Sequence, residues 1–161
     1  MSRLADLSRQ REWDAYFIRI LNAIAEKSQD QTKFGAVIVD GHQLIRSTGY
    51  NGLPRGVKYD GKYHLRPDKN TYFVHAEQNA VFNAARIGTS IEGCTMYVLK
   101  PPCVECIKAI IQSGVMVVRY MEEHSFDPNV NLSSDNWRST MEAAGELTYA
   151  AGIQMRKIDA Q

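Results

Sequence analysis

The chain lacks the features that direct proteins to membranes, to secretion or to polyanions. No apolar run in its 161 residues is long enough to span a bilayer, and the first residues, MSRLADLSRQRE, contain no apolar signal core. Its 19 basic and 18 acidic side chains leave a net charge of +1, too small to attract nucleic acid or a membrane surface. We therefore expect a cytoplasmic globular protein with no nucleic-acid partner and no membrane partner.

Cysteine is also scarce, and its number and spacing are informative. There are three cysteines, an odd number, and Cys103 and Cys106 form the pair CVEC. In a chain without a secretory signal, this spacing favours a metal or redox site over a disulfide framework. The third, Cys94, begins an apolar strand pattern and is expected to be a small buried hydrophobe.

The spacing of apolar residues predicts alternating helices and strands in one domain, residues 1–161, with no repeat or linker. Asp40-Gly41 is a hairpin signal between the first two strands, and residues 51–74 indicate a long irregular loop. The predicted helices cover residues 9–27, 75–87, 101–114 and, from Ser133 or Ser134, up to 151, and the predicted strands cover 34–40, 41–50, 94–100, 115–120 and 152–158.

This order of elements predicts an α/β fold. A hairpin followed by strand–helix–strand crossovers gives a five-stranded mixed sheet with an N-terminal hairpin. The last helix lets the final strands run parallel through a right-handed crossover. Helices then cover both faces of the sheet, in three α-β-α layers.

Two predicted helices open with residue types that bind metals. His75 opens one, and Cys103 and Cys106 lie one turn apart at the start of the other. Helices in a strand–helix–strand layer point their N-termini to the same edge of the sheet, so the three side chains can converge. They suit Zn²⁺, and three protein ligands with water in the fourth position are typical of catalytic zinc.

Glu77 supplies the acid–base group that such a zinc site needs. Zinc lowers the pKa of its bound water from about 15.7 to about 7, giving hydroxide at neutral pH. Glu77 can pass the proton to a leaving group. H-x-E followed by P-C-x-x-C is the signature of zinc nucleobase deaminases, in which the glutamate is not a ligand. We therefore expect zinc-bound hydroxide to replace an amino group on a base.

A structural zinc remains the main alternative for this motif. C-x-x-C alone leaves a redox site or a structural zinc open, and His75 alone is more often a satisfied core or surface histidine. A structural zinc needs four ligands. The candidates for a fourth are Cys94, His42, His64 and His124.

Several segments beyond the zinc motif resemble the deoxycytidylate (dCMP) deaminases, especially the phage and eukaryotic members. The resemblance covers roughly Trp13 to Ile158. The GYNG-x-P block at Gly49–Pro54 is the most telling, because other enzymes of the cytidine deaminase fold keep only its asparagine. The matching segments are WDAYFIRILNAIAEKS, FGAVIVD, STGYNGLPRG, HAEQNAVFNAAR, GCTMYVLKPPCVECIKAIIQSG and AAGIQMRKI.

The resemblance implies a cytidine deaminase-like fold and the hydrolysis of dCMP to dUMP and ammonia, which supplies dUMP for thymidylate synthesis. It implies that His75, Cys103 and Cys106 hold one catalytic zinc and that Glu77 moves the protons. Some relatives hold a second, structural zinc through extra N-terminal cysteines. Because no cysteine precedes Cys94 here, we expect one zinc.

The resemblance also implies residues that bind the substrate. Asn51 would bind the deoxyribose, the backbone of Ala76 would meet the base, Tyr120 would close over the nucleotide and Lys33 would meet the 5′-phosphate. Alternatives stay open: Asn51 could be part of a plain Asn-Gly turn, Tyr120 a core aromatic and Lys33 a solvated lysine.

Regulation follows from the same resemblance. It implies a homohexamer that dCTP activates with Mg²⁺ and dTTP inhibits, with Asn51, Gly52 and Arg86 linked to the effector site or to subunit contacts. A solvated Arg86 is the alternative. The stretch VKYDGKYHLRPDKNTYFV, residues 57–74, does not match the family closely, so its role stays open.

Three other functions compete with this one. A deaminase acting on tRNA or single-stranded DNA would need a basic groove or tail, and the net charge of +1 and the ending KIDAQ argue against it. Free-nucleoside cytidine deaminases usually lack the helix before the last strand. Glu77 and the open fourth position argue against a non-catalytic zinc interaction module.

Overall fold

A five-stranded sheet runs through the middle of the structure. The computed structural model describes residues 3–58, 69–121 and 134–158. Its elements in chain order are α1 (Arg3–Ala25), β1 (Gly35–Val39), β2 (Ile45–Tyr50), α2 (Lys69–Tyr72), α3 (Ala76–Ile87), β3 (Thr95–Val98), α4 (Val104–Gln112), β4 (Val117–Tyr120), α5 (Ser134–Ala150) and β5 (Gln154–Lys157).

The sheet has the topology that the sequence predicts. Its strand order is β2-β1-β3-β4-β5. β1 pairs antiparallel with β2 and with β3, whereas β3, β4 and β5 run parallel. The five-stranded mixed sheet, the N-terminal hairpin and the parallel last strands are therefore confirmed.

Helices cover both faces of the sheet, and β1 shows this division because all five of its residues are buried. Ala36 and Ile38 belong to the core cluster that contains side chains of α3, α4 and α5. Val37 and Val39 belong to a second cluster, built on α1. The three-layer α-β-α arrangement is confirmed, and among the described helices α1 supplies the second cluster.

α3 packs so closely against β2 that no side chain fits between them at Gly49. A Cβ added to Gly49 would stand 2.3 Å from the amide nitrogen of Ala80 and 2.4 Å from the carbonyl oxygen of Ala76. Ala76, Ala80 and Ala84 form the small, buried stripe of α3. The hydroxyl of Ser47 on β2 donates to the carbonyl oxygen of Ala80 at 2.6 Å. β2 therefore sets the position of the first turn of α3.

A buried ion pair joins α1 to β4 on the other face of the sheet. Arg119 donates to both carboxylate oxygens of Asp14, each at 2.8 Å, and the hydroxyl of Tyr97 donates to Asp14 at 2.8 Å. Asp14 is 4% exposed. Burial, followed by the charge of Asp14, raises the pKa of Tyr97 and keeps its hydroxyl protonated.

Two boundaries differ from the predicted ones for identifiable reasons. α1 begins at Arg3 rather than near residue 9. The predicted start was too late because residues 5–9 are exposed and show no apolar periodicity. The hairpin turn is longer than Asp40-Gly41. The Asp40 carboxylate accepts from the backbone N–H groups of His42 and Leu44, and Gln43 takes the left-handed conformation at φ 66°.

The predicted long loop, residues 51–74, contains some regular structure. Its described part includes the single turn α2 and a bridge between Gly52 and Val74. Ser133, His64 and His124 lie outside the described residues. That residues 1–161 form one domain remains a prediction.

In the described ranges, every helix is too short or too polar to cross a bilayer.

Gly49→Ala should lower the free energy of unfolding by about 2 kcal/mol or more, because the atoms facing the new methyl group are backbone atoms that cannot move aside. Gly41→Ala is the matched control, since an added Cβ there meets nothing within 4 Å. Urea unfolding of both variants measures the difference. Equal stability of the two variants would show that α3 is not held at this distance.

Candidate active site

The two helices that carry the motif residues both begin with a potential metal ligand at the N-cap. His75 caps α3 with φ −70° and ψ 155°, and Cys103 caps α4 with φ −69° and ψ 170°. An N-cap side chain usually accepts a hydrogen bond from its own helix. Neither of these side chains makes such a bond. Both are therefore available to another partner beyond the helix ends.

The three predicted ligands converge between these helix ends. His75 Nδ1 lies 3.5 Å from Cys103 Sγ and 3.3 Å from Cys106 Sγ. All three ligand atoms lie within 4.8 Å of one another. Both cysteines are buried, and His75 is half-buried. β2 and β3 are both antiparallel to β1 and so run in the same direction, which lets α3 and α4, the helices between β2 and β4, begin at one edge of the sheet, as predicted.

The spacing of the ligand atoms fits zinc. In a tetrahedral site with usual Zn–N and Zn–S bonds, nitrogen and sulfur are about 3.5 Å apart. The two measured distances of 3.5 and 3.3 Å agree with this value. Two thiols and one imidazole form a donor set that zinc favours.

In the described part of the chain, this is the one His/Cys/Asp/Glu cluster that could hold a metal ion, and it has three members. Cys94 is buried in the core, as predicted, and His42 is exposed at the hairpin turn. Three ligands leave a fourth position for water, as in a catalytic site.

The acid–base properties of the cluster also call for a cation. A hydrogen bond from Cys106 is the main cause that lowers the pKa of Cys103 to about 4, and His75 contributes. The hydrogen bond with Cys103 raises the pKa of His75, and the pKa of Cys106 is raised mainly by its bond to Cys103. The cluster therefore favours ionisation of Cys103 over ionisation of Cys106. A divalent cation supplies the charge that allows the second thiol to ionise.

Glu77 is the second residue of α3, and its carboxyl group faces the ligands without being one of them. Burial raises its pKa, and the charge of His75 opposes that shift. Interaction with Cys106 acts in the same direction as His75, lowering the pKa of Glu77 by a smaller amount. The carboxyl group therefore lies where a proton can be exchanged with a molecule at the fourth position, while the role of Glu77 stays a prediction.

Backbone hydrogen bonds connect the segment that contains Asn51, the predicted sugar-binding residue, to the segment that leads into His75. Gly52, the next residue, exchanges two backbone hydrogen bonds with Val74, at 3.1 and 2.8 Å. Val74 directly precedes His75. The side chain of Asn51 is buried and hydrogen-bonded to the connection between α1 and β1.

The other predicted binding residues, Ala76, Tyr120 and Lys33, differ in burial and in the elements that carry them. Ala76 is buried at the first position of α3, directly beside His75. Tyr120 ends β4, half-buried against the core. Lys33 is exposed and donates to the carbonyl oxygens of Glu26 and Ser28.

Arg86 is exposed in the last turn of α3, eleven residues from His75, or about 16 Å along the helix. It is therefore far from the ligand cluster. The roles of the predicted binding and effector residues remain predictions.

Two buried residues near Asn51 escaped the sequence reasoning. Ser28 is 2% exposed and Asp30 is 4% exposed, and both bond to Asn51. The local sequence KSQDQT carries Ser and Asp at positions typical of side-chain-to-backbone turns, which could have indicated them. Their partner lies more than twenty residues away, so periodicity gives no sign of it.

The chain also matches a known family. The sequence model of the cytidine and deoxycytidylate deaminase zinc-binding region covers residues 11–122, which include His75, Glu77, Cys103 and Cys106. The chain belongs to this deaminase family. It is therefore a zinc-dependent deaminase, a hydrolase, and the family resemblance drawn from the sequence is confirmed.

Individual members of the family extend the match over most of the deaminase chain. It is 38% identical over 155 residues to the deoxycytidylate deaminase of Pongo abelii, covering 91% of this chain and 79% of that one. The apo dCMP deaminase of cyanophage S-TIM5 shares the fold, with a TM-score of 0.69 at 24% identity over 91% and 97% of the two chains. The structure of the same phage enzyme in complex with dCMP and dUMP has a TM-score of 0.59 to this chain, at 23% identity over 98% of each chain.

Cys103→Ala should remove zinc from the deaminase. Changes that only disturb the support of a ligand cost about 10–100-fold in metal affinity, so losing one of three protein ligands should cost more. The measurement is zinc per chain after gel filtration. Cys94→Ala is the control, since Cys94 is equally buried but lies in the core. A fully zinc-loaded Cys103→Ala variant would contradict the ligand assignment.

Proposed function

We propose that this deaminase hydrolyses dCMP to dUMP and ammonia. The observation that carries the proposal is the Glu77 carboxyl group, which faces a cluster of three ligands with a fourth position left for water. The substrate is suggested by the deoxycytidylate deaminase of Pongo abelii and by the phage enzyme that binds dCMP and dUMP. The product dUMP would supply thymidylate synthesis.

Glu77 performs the proton transfers in this proposal. His75, Cys103 and Cys106 would hold the zinc, and the bound metal would supply the charge that acidifies the attacking water. The Glu77 carboxylate takes one proton from the water and delivers it to the ring nitrogen of cytosine as the water oxygen bonds to C4. It then passes the second proton of the water to the 4-amino group, the C4–N bond breaks and ammonia leaves. Burial keeps the pKa of Glu77 high, so one carboxyl group can both accept and return a proton.

The nucleotide would lie along the sheet edge where the ligands meet. Ala76 and Asn51 adjoin His75, so their groups can meet the base and the deoxyribose. Tyr120 ends β4 at the edge where β3 leads to Cys103, which suits a side chain that closes over the substrate. Lys33 uses two donor hydrogens on carbonyl oxygens and keeps a third for the 5′-phosphate.

Regulation by nucleotides and assembly into a homohexamer are part of the same proposal. dCTP with Mg²⁺ would activate the enzyme and dTTP would inhibit it. Gly52 lies between the site and the following loop, where a glycine permits close approach of a phosphate. Arg86 lies between Phe82 and Ile87, large apolar residues that are 53% and 71% exposed. That exposed end of α3 suits a subunit contact.

Glu77→Gln should retain zinc and fold but lower kcat by about 10²–10⁴-fold, because the proton transfer is lost. Glu105→Gln is the matched control. Glu105 holds the same second position in α4, but it is exposed and paired with Lys108. The control should keep kcat within about twofold, since surface pairs contribute little. A Glu77→Gln variant with nearly full activity would exclude the proton-transfer role.

Ammonia release should be fastest with dCMP and should fall when dTTP is added. The comparison uses dCMP, dCTP, deoxycytidine and a cytosine-containing oligonucleotide, each with dCTP·Mg²⁺, with dTTP or with neither. The effectors act only if they bind two states with different affinity, so equal rates in all three conditions would exclude the proposed regulation. Turnover confined to the oligonucleotide would overturn the proposed substrate.

A further inference from the structure

The side chain of Asn51 is held in a pocket made by the connection between α1 and β1. Its Nδ2 group donates to Asp30 Oδ2 at 3.0 Å and to the carbonyl oxygen of Thr32 at 2.9 Å. Its Oδ1 atom accepts from the backbone N–H of Phe34 at 2.8 Å. The hydroxyl of Ser28 donates to the carbonyl oxygen of Asn51 at 2.8 Å. Four residues of the connection between α1 and β1 therefore hold Asn51 in place.

These bonds decide what Asn51 can offer a ligand. An asparagine amide has two N–H hydrogens and two oxygen lone pairs. Both hydrogens are used, on Asp30 and Thr32, and Phe34 uses one lone pair. The second lone pair of Oδ1 is the hydrogen-bonding capacity that the described contacts leave. Asn51 can therefore accept a hydrogen bond from a ligand but has no donor for it.

Asp30 maintains this orientation of the amide. Rotation by 180° would place the amide oxygen against the Asp30 carboxylate and the Thr32 carbonyl, and the NH₂ group against the N–H of Phe34. The Asp30 carboxylate has no spare orientation, because its Oδ1 accepts from the backbone N–H of Thr32 at 3.1 Å. Asp30 is 4% exposed, so water does not substitute for it.

We propose that Asp30 is a positioning residue that holds Asn51 as a hydrogen-bond acceptor for the 3′-hydroxyl of the nucleotide. The inference rests on the proposed function, in which Asn51 adjoins the sugar. The 3′-hydroxyl is the one free hydroxyl of the deoxyribose in dCMP, and a hydroxyl group can donate to the remaining lone pair. A phosphate has no such donor when fully ionised, so this position selects sugar rather than phosphate.

The test compares dCMP with 2′,3′-dideoxycytidine 5′-monophosphate, which lacks the 3′-hydroxyl, in the zinc-loaded wild type and in Asp30→Asn. An amide at position 30 offers one acceptor where the carboxylate offers two, so one of the two N–H groups it holds meets another donor. Wild-type kcat/KM should fall about tenfold or more without the hydroxyl. Asp30→Asn should lower kcat/KM for dCMP, mainly through KM, by about the same factor and leave the analogue within about twofold.

Asp40→Asn is the matched control, because Asp40 also accepts backbone N–H bonds but lies at the other end of the β1–β2 pair. Asp40→Asn should leave kcat/KM unchanged for dCMP and for the dideoxy analogue. If Asp30→Asn does not fold, Ser28→Ala tests the same pocket, since it removes the bonds to Asn51 and to the Asp30 N–H. It should also weaken dCMP selectively.

The other outcomes each overturn the inference. Equal losses for both substrates in Asp30→Asn would mean that Asp30 only stabilises the fold. A wild type that turns over dCMP but is indifferent to the 3′-hydroxyl would remove the proposed contact and leave the proposed function intact. A wild type that does not deaminate dCMP at all would remove the proposed function and this inference with it.

Discussion

The contact between α3 and β2 is the constraint on which the site depends. No side chain separates the two elements at Gly49, so the helix lies at backbone distance from the edge strand. Hydrogen bonds then fix the position of α3 along the direction of β2. Ser47 donates to the carbonyl oxygen of Ala80, and the amides of Asn79 and Asn83 donate to the carbonyl oxygens of Tyr50 and Thr48. The two asparagine bonds occupy outward carbonyls of the edge strand β2 that would otherwise be open to pairing with another strand.

This placement gives the first turn of α3 its chemical use, at a cost to the helix. An ordinary N-cap would contribute about 0.5–2 kcal/mol, and neither His75 nor Cys103 makes the capping bond. Metal coordination offsets this loss, because its free energy becomes part of the folding free energy. The acidic side chains Glu77 and Glu105 lie in the first turns, where the partial positive charge of a helix N-terminus attracts them. The two helices thus begin where an ion, rather than a serine or aspartate, completes them.

Much of this arrangement was predictable, because it follows from local patterns. The hairpin, the crossovers and the glycine at the end of α3 each have a short-range sequence signature. The position of the ligands follows from the common direction of β2 and β3. The long-range pairs could not be found in this way. Asp14 and Arg119 lie 105 residues apart and show no shared period. Gln43 takes a left-handed conformation that Gly41 was better suited to adopt, because the Asp40 carboxylate organises the turn.

The connection between α1 and β1 links the two proposed binding functions of the nucleotide site. Ser28 accepts a hydrogen bond from Lys33 at its carbonyl oxygen, 2.6 Å away, and donates one from its hydroxyl to Asn51. Lys33 also satisfies the carbonyl of Glu26 just beyond the end of α1, where a cation is electrostatically favourable. A phosphate bound by the third hydrogen of Lys33 would be linked to Ser28 through the bond from Lys33 to the Ser28 carbonyl oxygen. Since Ser28 is bonded directly to Asn51, this connection would join the proposed phosphate contact to the proposed sugar contact.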